Sequence, residues 1–306
     1  MIVDVRRALV ISGGNLGKEG PMLRISLFVL LLGSAGSAIA QNSYSFADFG
    51  CDDSNDTRAF GINDSNLIVG ATRSMGLHGF VYDGDSCGTV EPQGSSNSRV
   101  RGINPAAVMV GFYFAPGLDF VRGFMRINEF SYQDIVPPGA QDAYALGINS
   151  LNQVTGGYFD ADGNEHSFIL DGDMYIAPLD CPGFLNTQVN GIDDTVRIVG
   201  WCDDGVTTQA AIYDGAMLTL FQCPGAANTG AMAINNDGVV VGWYDTPDTA
   251  HGFITTDMGK SCTTIDFPDA ANTQLNGISP SGTLVGFYFD DEGSYVRSFL
   301  ATPKQL

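Results

Sequence analysis

The sequence predicts an all-β fold, a six-bladed β-propeller of four-stranded antiparallel blades whose last blade is closed by the N-terminal strand. Three observations predict it. A ten-residue frame recurs six times, as "GINDSNLIVG" at 61, "GINPAAVMVG" at 102, "GINSLNQVTG" at 147, "GIDDTVRIVG" at 191, "AINNDGVVVG" at 233 and "GISPSGTLVG" at 277. The starts are 41, 45, 44, 42 and 44 residues apart, a mean of 43.2, which is a period typical of propeller arrays. The last unit runs out after three β-like runs, while a spare run stands ahead of the first frame.

The fifth unit shows the four runs most clearly: "TGAMAIN" (229–235), "VVVGWYD" (239–245), "AHGFITT" (250–256) and "CTTIDFP" (262–268). Asn, Asp, Gly and Pro separate them, the residues of tight turns. Four antiparallel strands make one blade. The sixth unit ends on "VRSFLAT" (296–302), and "YSFADFG" (44–50) precedes the first frame as "TTIDFPD" (263–269) precedes the sixth. An N-terminal strand can therefore complete the last blade and hide two edges that would otherwise invite aggregation. A β-solenoid is the rival, but it needs end caps and has no use for complementary half-units.

Within the frame, a simple hairpin sets position one against ten and two against nine, so that Gly61 opposes Gly70 and Ile62 opposes Val69. Alternation then places the Ile–Val pair, with Phe112, Trp201, Trp243 or Phe287 beyond it, on one face of the blade and two glycines on the other. The expected packing puts the bulky face of one blade into its neighbour's glycine hollow, so replacing Gly200 or Gly242 by Val should destabilise the ring.

The first forty residues do not belong to this array. Met22, Arg24, the apolar run "ISLFVLLL" (25–32) and Ala38-Ile39-Ala40 read as a secretory signal over 22–40, too short in its apolar part to span a bilayer. Residues 1–21 have no place in such a signal and read as an extension from a mis-assigned start codon, since "KEG" ahead of Met22 can be encoded by a ribosome-binding sequence. The propeller domain is expected over 41–306.

Removing 1–40 lowers the basic side chains from 14 to 10 and the acidic ones from 34 to 32, leaving a formal charge of −22. That field disfavours nucleic acid and anionic membranes and favours cations and basic proteins. All but four of these acids are Asp, the acid that caps turns. Six cysteines (51, 87, 181, 202, 223, 262) in an exported chain allow three disulfides in fifteen connectivities, and no C-x-x-C spacing suggests thiol redox chemistry or a zinc knuckle. Cys51, Cys181 and Cys223 each lie ten residues before a frame, in equivalent slots.

The third run of each unit opens on a triplet: His78-Gly79-Phe80, Arg122-Gly123-Phe124, His166-Ser167-Phe168, Gln209-Ala210-Ala211, His251-Gly252-Phe253 and Arg297-Ser298-Phe299. With "GIN…IVG" and "TTIDFPDA", this resembles the HAF family of bacterial extracellular repeats, named for a His-Ala-Phe triplet, over residues 44–302. The resemblance implies export and a propeller-like array, and no shared catalytic activity or cofactor. The fourth unit departs most from the triplet, so its blade is expected to be irregular.

All three histidines occupy the triplet slot. A three-histidine metal site is one reading, but alternate blades hold equivalent residues apart, and a repeated hydrogen-bond donor to a neighbouring blade is the expectation. Asp160, Asp162 and Asn164 in "YFDADGNEHSF" have the spacing that begins a calcium loop, without the distal Glu of an EF-hand; a hairpin turn with solvated carboxylates is the alternative. Trp201, Trp243, Tyr113, Tyr158, Tyr244 and Tyr288 could stack sugars, yet their regular places suit blade packing. No G-x-S-x-G and no isolated carboxylate pair marks an enzyme.

The functional expectation is an exported, secreted or periplasmic, non-catalytic binding or interaction module. It would present a face rich in Asp119, Asp160, Asp162, Asp203, Asp204, Asp245, Asp248, Asp290 and Asp291 to a protein, a glycan or a cation, with calcium as a stabiliser. One alternative is a hydrolase or lyase acting on extracellular polysaccharide or lactone at a calcium ion on the propeller axis, for which an axial pocket with convergent carboxylates is required. The other is a structural surface or matrix protein.

Overall fold

The computed structural model describes residues 43–304, apart from 52, 53, 55, 75, 96, 115, 116, 118, 119, 178 and 291–294. The expected extension and signal at 1–40, and Asp119 and Asp291, lie outside the described residues. Among the described residues, twenty-four strands form six four-stranded antiparallel sheets. Blade 1 comprises β2 (Thr57–Ile62), β3 (Ile68–Arg73), β4 (Leu77–Tyr82) and β5 (Cys87–Thr89), and blade 2 comprises β6 (Ser98–Ile103), β7 (Met109–Phe114), β8 (Val121–Asn128) and β9 (Ser131–Ile135). Blade 3 holds β10 (Asp142–Ile148), β11 (Val154–Phe159), β12 (Glu165–Asp171) and β13 (Met174–Ile176); blade 4 holds β14 (Asn186–Ile192), β15 (Ile198–Asp203), β16 (Thr208–Tyr213) and β17 (Leu218–Phe221). Blade 5 is β18 (Asn228–Ile234), β19 (Val240–Asp245), β20 (Ala250–Thr255) and β21 (Thr263–Thr264). Blade 6 is β22 (Asn272–Ile278), β23 (Leu284–Phe289), β24 (Val296–Pro303) and β1 (Tyr44–Phe49). The N-terminal strand closes the ring as expected, with Tyr44 opposite Pro303 and Phe49 opposite Ser298.

The register inside the frame differs from the simple hairpin. Gly61 pairs with Val69 and Ile62 with Ile68, while Gly70 faces Ala59, because Phe60 is an extra residue on β2. The same bulge recurs in all six blades. The turn shifts the pairing by one residue and the bulge shifts it by one more, which restores the alternation of faces but not the partners of the simple hairpin. Its consequence is functional, since Phe60, Arg101, Leu146, Asn190, Met232 and Asn276 all line one recess on the ring axis.

The repeated Asn explains why the frame is written so often. Asn63 Oδ1 accepts the N–H groups of Ser65 and Leu67 and so closes its own turn, while its Nδ2 donates to the Asn104 carbonyl of the next blade at 3.1 Å. Asn104 donates likewise to Asn149 and Asn149 to Asp193. Each amide is a turn cap and a rivet at once. Blade 4 has Asp193, which cannot donate, and there Arg197 binds the Asp193 carboxylate and extends Nη2 to the next blade's Asn236 carbonyl at 3.2 Å. Inside this belt six isoleucines (62, 103, 148, 192, 234, 278), all nearly buried, line the axis.

The glycine hollow is filled from within its own blade, which corrects the expected packing. A Cβ on Gly70 would stand 2.6 Å from Phe80 Cζ, and one on Gly242 2.8 Å from Phe253 Cε1. The third-strand Phe thus lies over the second-strand Gly and meets the preceding blade: Phe80 packs with Phe49 and Val285 of blade 6, and Phe124 with Val69 and Val90 of blade 1. Gly200 and Gly242 remain intolerant of a side chain for a different reason: a Cβ there would come within 1.9 and 2.0 Å of the Gln188 and Gly230 carbonyls of their own first strands.

A cleft between the third and fourth blades

Five phenylalanines from the triplet are almost wholly buried: Phe80, Phe124, Phe168, Phe253 and Phe299. Phe168 fills the seam with Val110 and Ile135 of blade 2, Phe253 the seam with Val199 and Ile212 of blade 4, and Phe299 the seam with Val241 and Ile265 of blade 5. The sixth place is Ala211. Blade 4 is regular in its four strands, so the expected irregularity is one of packing and not of backbone. A second ring is missing too: the position two residues after the second-strand glycine is Tyr113, Tyr158, Tyr244 or Tyr288 in four blades and Cys202 in this one.

The result is a cavity of about 400 Å³ at the seam between blades 3 and 4. Leu179, Val189, Ile198, Ala211, Tyr213 and Leu218 give it apolar walls, with Asp180, Thr187 and Gln188 among its polar lining. Cys181 and Cys202 pack against Ala211 and are joined by a disulfide. Cys51–Cys87 and Cys223–Cys262 each join the segment entering a blade to the region of that blade's fourth strand, whereas Cys181 reaches the second strand of blade 4. The volume lies in the ~300–1,000 Å³ range of small-molecule sites, and apolar walls with a few polar groups are their usual composition.

The histidines do not converge. His78 Nδ1 meets Glu91, His166 Nδ1 meets Asp180 at 2.8 Å, and His251 Nδ1 meets Asp266 at 2.8 Å. Each acid follows the fourth strand of the same blade, which corrects the expected bond to a neighbouring blade. The register is the reason: the Gly79 carbonyl accepts the Val90 N–H, which sets His78 beside Glu91. Arg297 instead reaches Asp48 at 3.0 Å, on the strand residue two before the one opposite it, because a longer side chain spans the diagonal. In blade 4 the slot and the residue after the fourth strand are both glutamines, Gln209 and Gln222. The ionisable donor and the acid are replaced together by neutral amides.

Asp160, Asp162 and Asn164 form the β11–β12 turn on blade 3. Asp160 Oδ1 accepts the N–H groups of Asp162 and Asn164 at 2.9 Å, and Oδ2 accepts Asn164 Nδ2 at 3.0 Å and faces His166 Nε2 at 3.2 Å. Hydrogen bonds from Asn164 first, and also from His166 and Asp162, hold its carboxyl well below the usual range. The side chains of Asp160 and Asn164 hold each other across the turn. Among the described residues no three His, Cys, Asp or Glu side chains group as metal ligands. Second-strand Phe112 stacks edge-on against Tyr144 of blade 3 at 4.9 Å, in keeping with a packing role for that row.

No family model matches the chain, and no curated protein matches it. Solved structures do. The chain resembles a protein described as TolB from Agrobacterium tumefaciens, with a TM-score of 0.56 and 12% identity over 81% of this chain and 91% of that one. It also resembles AofleA from Arthrobotrys oligospora, solved as a mutant with alanine in place of three arginines, with a TM-score of 0.51 and 12% identity over 84% and 86%. The SapL1 lectin, solved with α-methyl fucoside, matches with a TM-score of 0.50 and 13% identity over 86% and 97%. At such identities these matches establish the shared fold.

Proposed function

We propose that this chain is an exported, non-catalytic propeller that works as a binding module, and that its ligand inserts an aromatic ring or a similar flat apolar group into the cleft between blades 3 and 4. The carrying observation is Ala211: at the five other seams the same space is taken by a phenyl ring of the protein itself. A ring presented by a peptide or a small molecule therefore meets walls of the shape that Phe168 or Phe253 meets elsewhere. Three disulfides support an oxidising compartment. The isoleucines on the axis favour binding over the axial hydrolase or lyase. Glycan binding enters this reading through Trp201 and Tyr213, which line the cleft beside Leu, Val, Ile and Ala and can stack the apolar face of a sugar.

Titration calorimetry with p-cresol on the wild type and on Ala211→Phe tests the proposal. Expected are binding to the wild type with a negative heat-capacity change and its loss in the variant. Equal binding by a folded Ala211→Phe or Ala211→Leu protein, or none by the wild type, overturns it.

A further inference from the structure

A formal charge of −20 suggests a molecule that repels anions everywhere, but the ten basic side chains of residues 41–306 are unevenly placed. Six of them, Arg58, Arg73, Arg99, Arg101, Arg122 and Arg126, lie on blades 1 and 2. Asp56 holds Arg58 at 2.7 Å and stands 3.6 Å from Arg73. Arg99 and Arg101 make no ion pair with a carboxylate among the described residues. Their guanidinium groups rest on rings instead, Arg101 at 4.2 Å over Phe60 and Arg99 at 5.6 Å over Phe112.

The bulge turns Arg101 toward the axis. There it lines a recess of about 80 Å³ together with Phe60, Asn190 and Asn276. Arg101 Nε and Asn190 Oδ1 are both buried and have no hydrogen-bond partner among the described residues. Burial, aided by repulsion from Arg99, lowers the Arg101 pKa to about 10, so the group still carries its charge at neutral pH. A guanidinium whose Nε is buried without a counter-charge is costly, and a fold that retains one has a use for the missing counter-charge.

We propose that this axial recess binds a single oxyanion group, a carboxylate or phosphate carried by a small ligand or by the end of a larger one. The recess, of about 80 Å³, has room for several water-sized groups and so for an oxyanion head. With one face of the guanidinium covered by Phe60, its N–H edge is the part left to a ligand, and planar N–H forks match carboxylate and phosphate oxygens. Asn190 Oδ1 supplies an acceptor for a hydroxyl beside the anion, and the isoleucines on the axis close the floor.

Thermal melting in acetate, glucuronate and inorganic phosphate tests this, each against chloride at equal ionic strength, on the wild type, Arg101→Met and Arg101→Gln. At least one oxyanion should raise the wild-type Tm by several degrees beyond chloride, with the shift lost in both variants, and Arg101→Met should melt above the wild type in chloride alone. A glucuronate response without acetate or phosphate identifies a sugar acid; a phosphate response identifies a phosphoryl group. The proposal is overturned if no oxyanion exceeds chloride, or if the shift persists in whichever variant folds. Ala211→Phe should leave the anion response intact, which separates this site from the cleft.

Discussion

The seam between blades 3 and 4 and the seam between blades 4 and 5 are built from the same strand positions, yet one is open and the other is closed. At the closed seam Phe253 is buried among Val199, Ile212 and Phe221. At the open one Ala211 faces a cavity, and Cys202 stands where four blades have Tyr. The backbone tolerates this because blade spacing is set elsewhere, by the amide rivets near the axis and by first-strand glycines with no room for a Cβ. Gly147, for example, would place one 2.2 Å from the Asn190 carbonyl across that seam. A propeller held at its hub can therefore leave a gap farther out without losing its ring.

Substitutions can break this comparison. Phe253→Ala should make the closed seam resemble the open one and cost about 3–5 kcal/mol, measured by chemical denaturation, since a large buried ring is removed with no collapse of the hub. Loss of an axial amide comes next: Asn104→Ala removes a turn cap and a link to blade 3, and should cost about 1–3 kcal/mol in the same assay. Ala211→Phe should stabilise by about 0.5–2 kcal/mol if the ring enters the vacant space, while closing the cleft to p-cresol. Val196, a β-branched residue at a positive φ of 64° in the blade 4 turn, occupies the place that Asn66 and Asn152 hold at 59° and 61°. Val196→Asn should raise stability by about 1 kcal/mol.

The smallest effect concerns pH. Bonding to Asp180, with a further contribution from Asp160, raises the His166 pKa above 6.5. A raised folded value means that the contribution is complete below the unfolded pKa near 6.5 and fades as pH rises through the folded one. The Tm difference between wild type and His166→Gln should therefore be larger at pH 5.5 than at pH 8.5. Blade 4, with Gln209 and Gln222, should show no such dependence on Gln209→Ala.

Much of this was legible in the sequence for physical reasons. The period, the four runs per unit and the orphan strand at 44–50 follow from alternation and turn chemistry, which are local. The Gln209-Ala210-Ala211 triplet marked blade 4 as different, but a missing ring alters volume and leaves strand pairing unchanged, so the signal read as irregularity when it meant a cavity. The bulge was hidden because one extra residue in "AFGIN" or "VRGIN" preserves the look of alternation. Arg101 was missed because net charge averages over the chain; two arginines flanking Val100 ahead of "GIN", where the other units have at most one, were the available sign.

Xenon bound in a crystal under pressure addresses the open seam most directly, because xenon reports unfilled apolar volume irrespective of the natural ligand. The account predicts a xenon site beside Ala211 and none beside Phe80, Phe124, Phe168, Phe253 or Phe299. Equal occupancy at all six seams, or none beside Ala211, would contradict it.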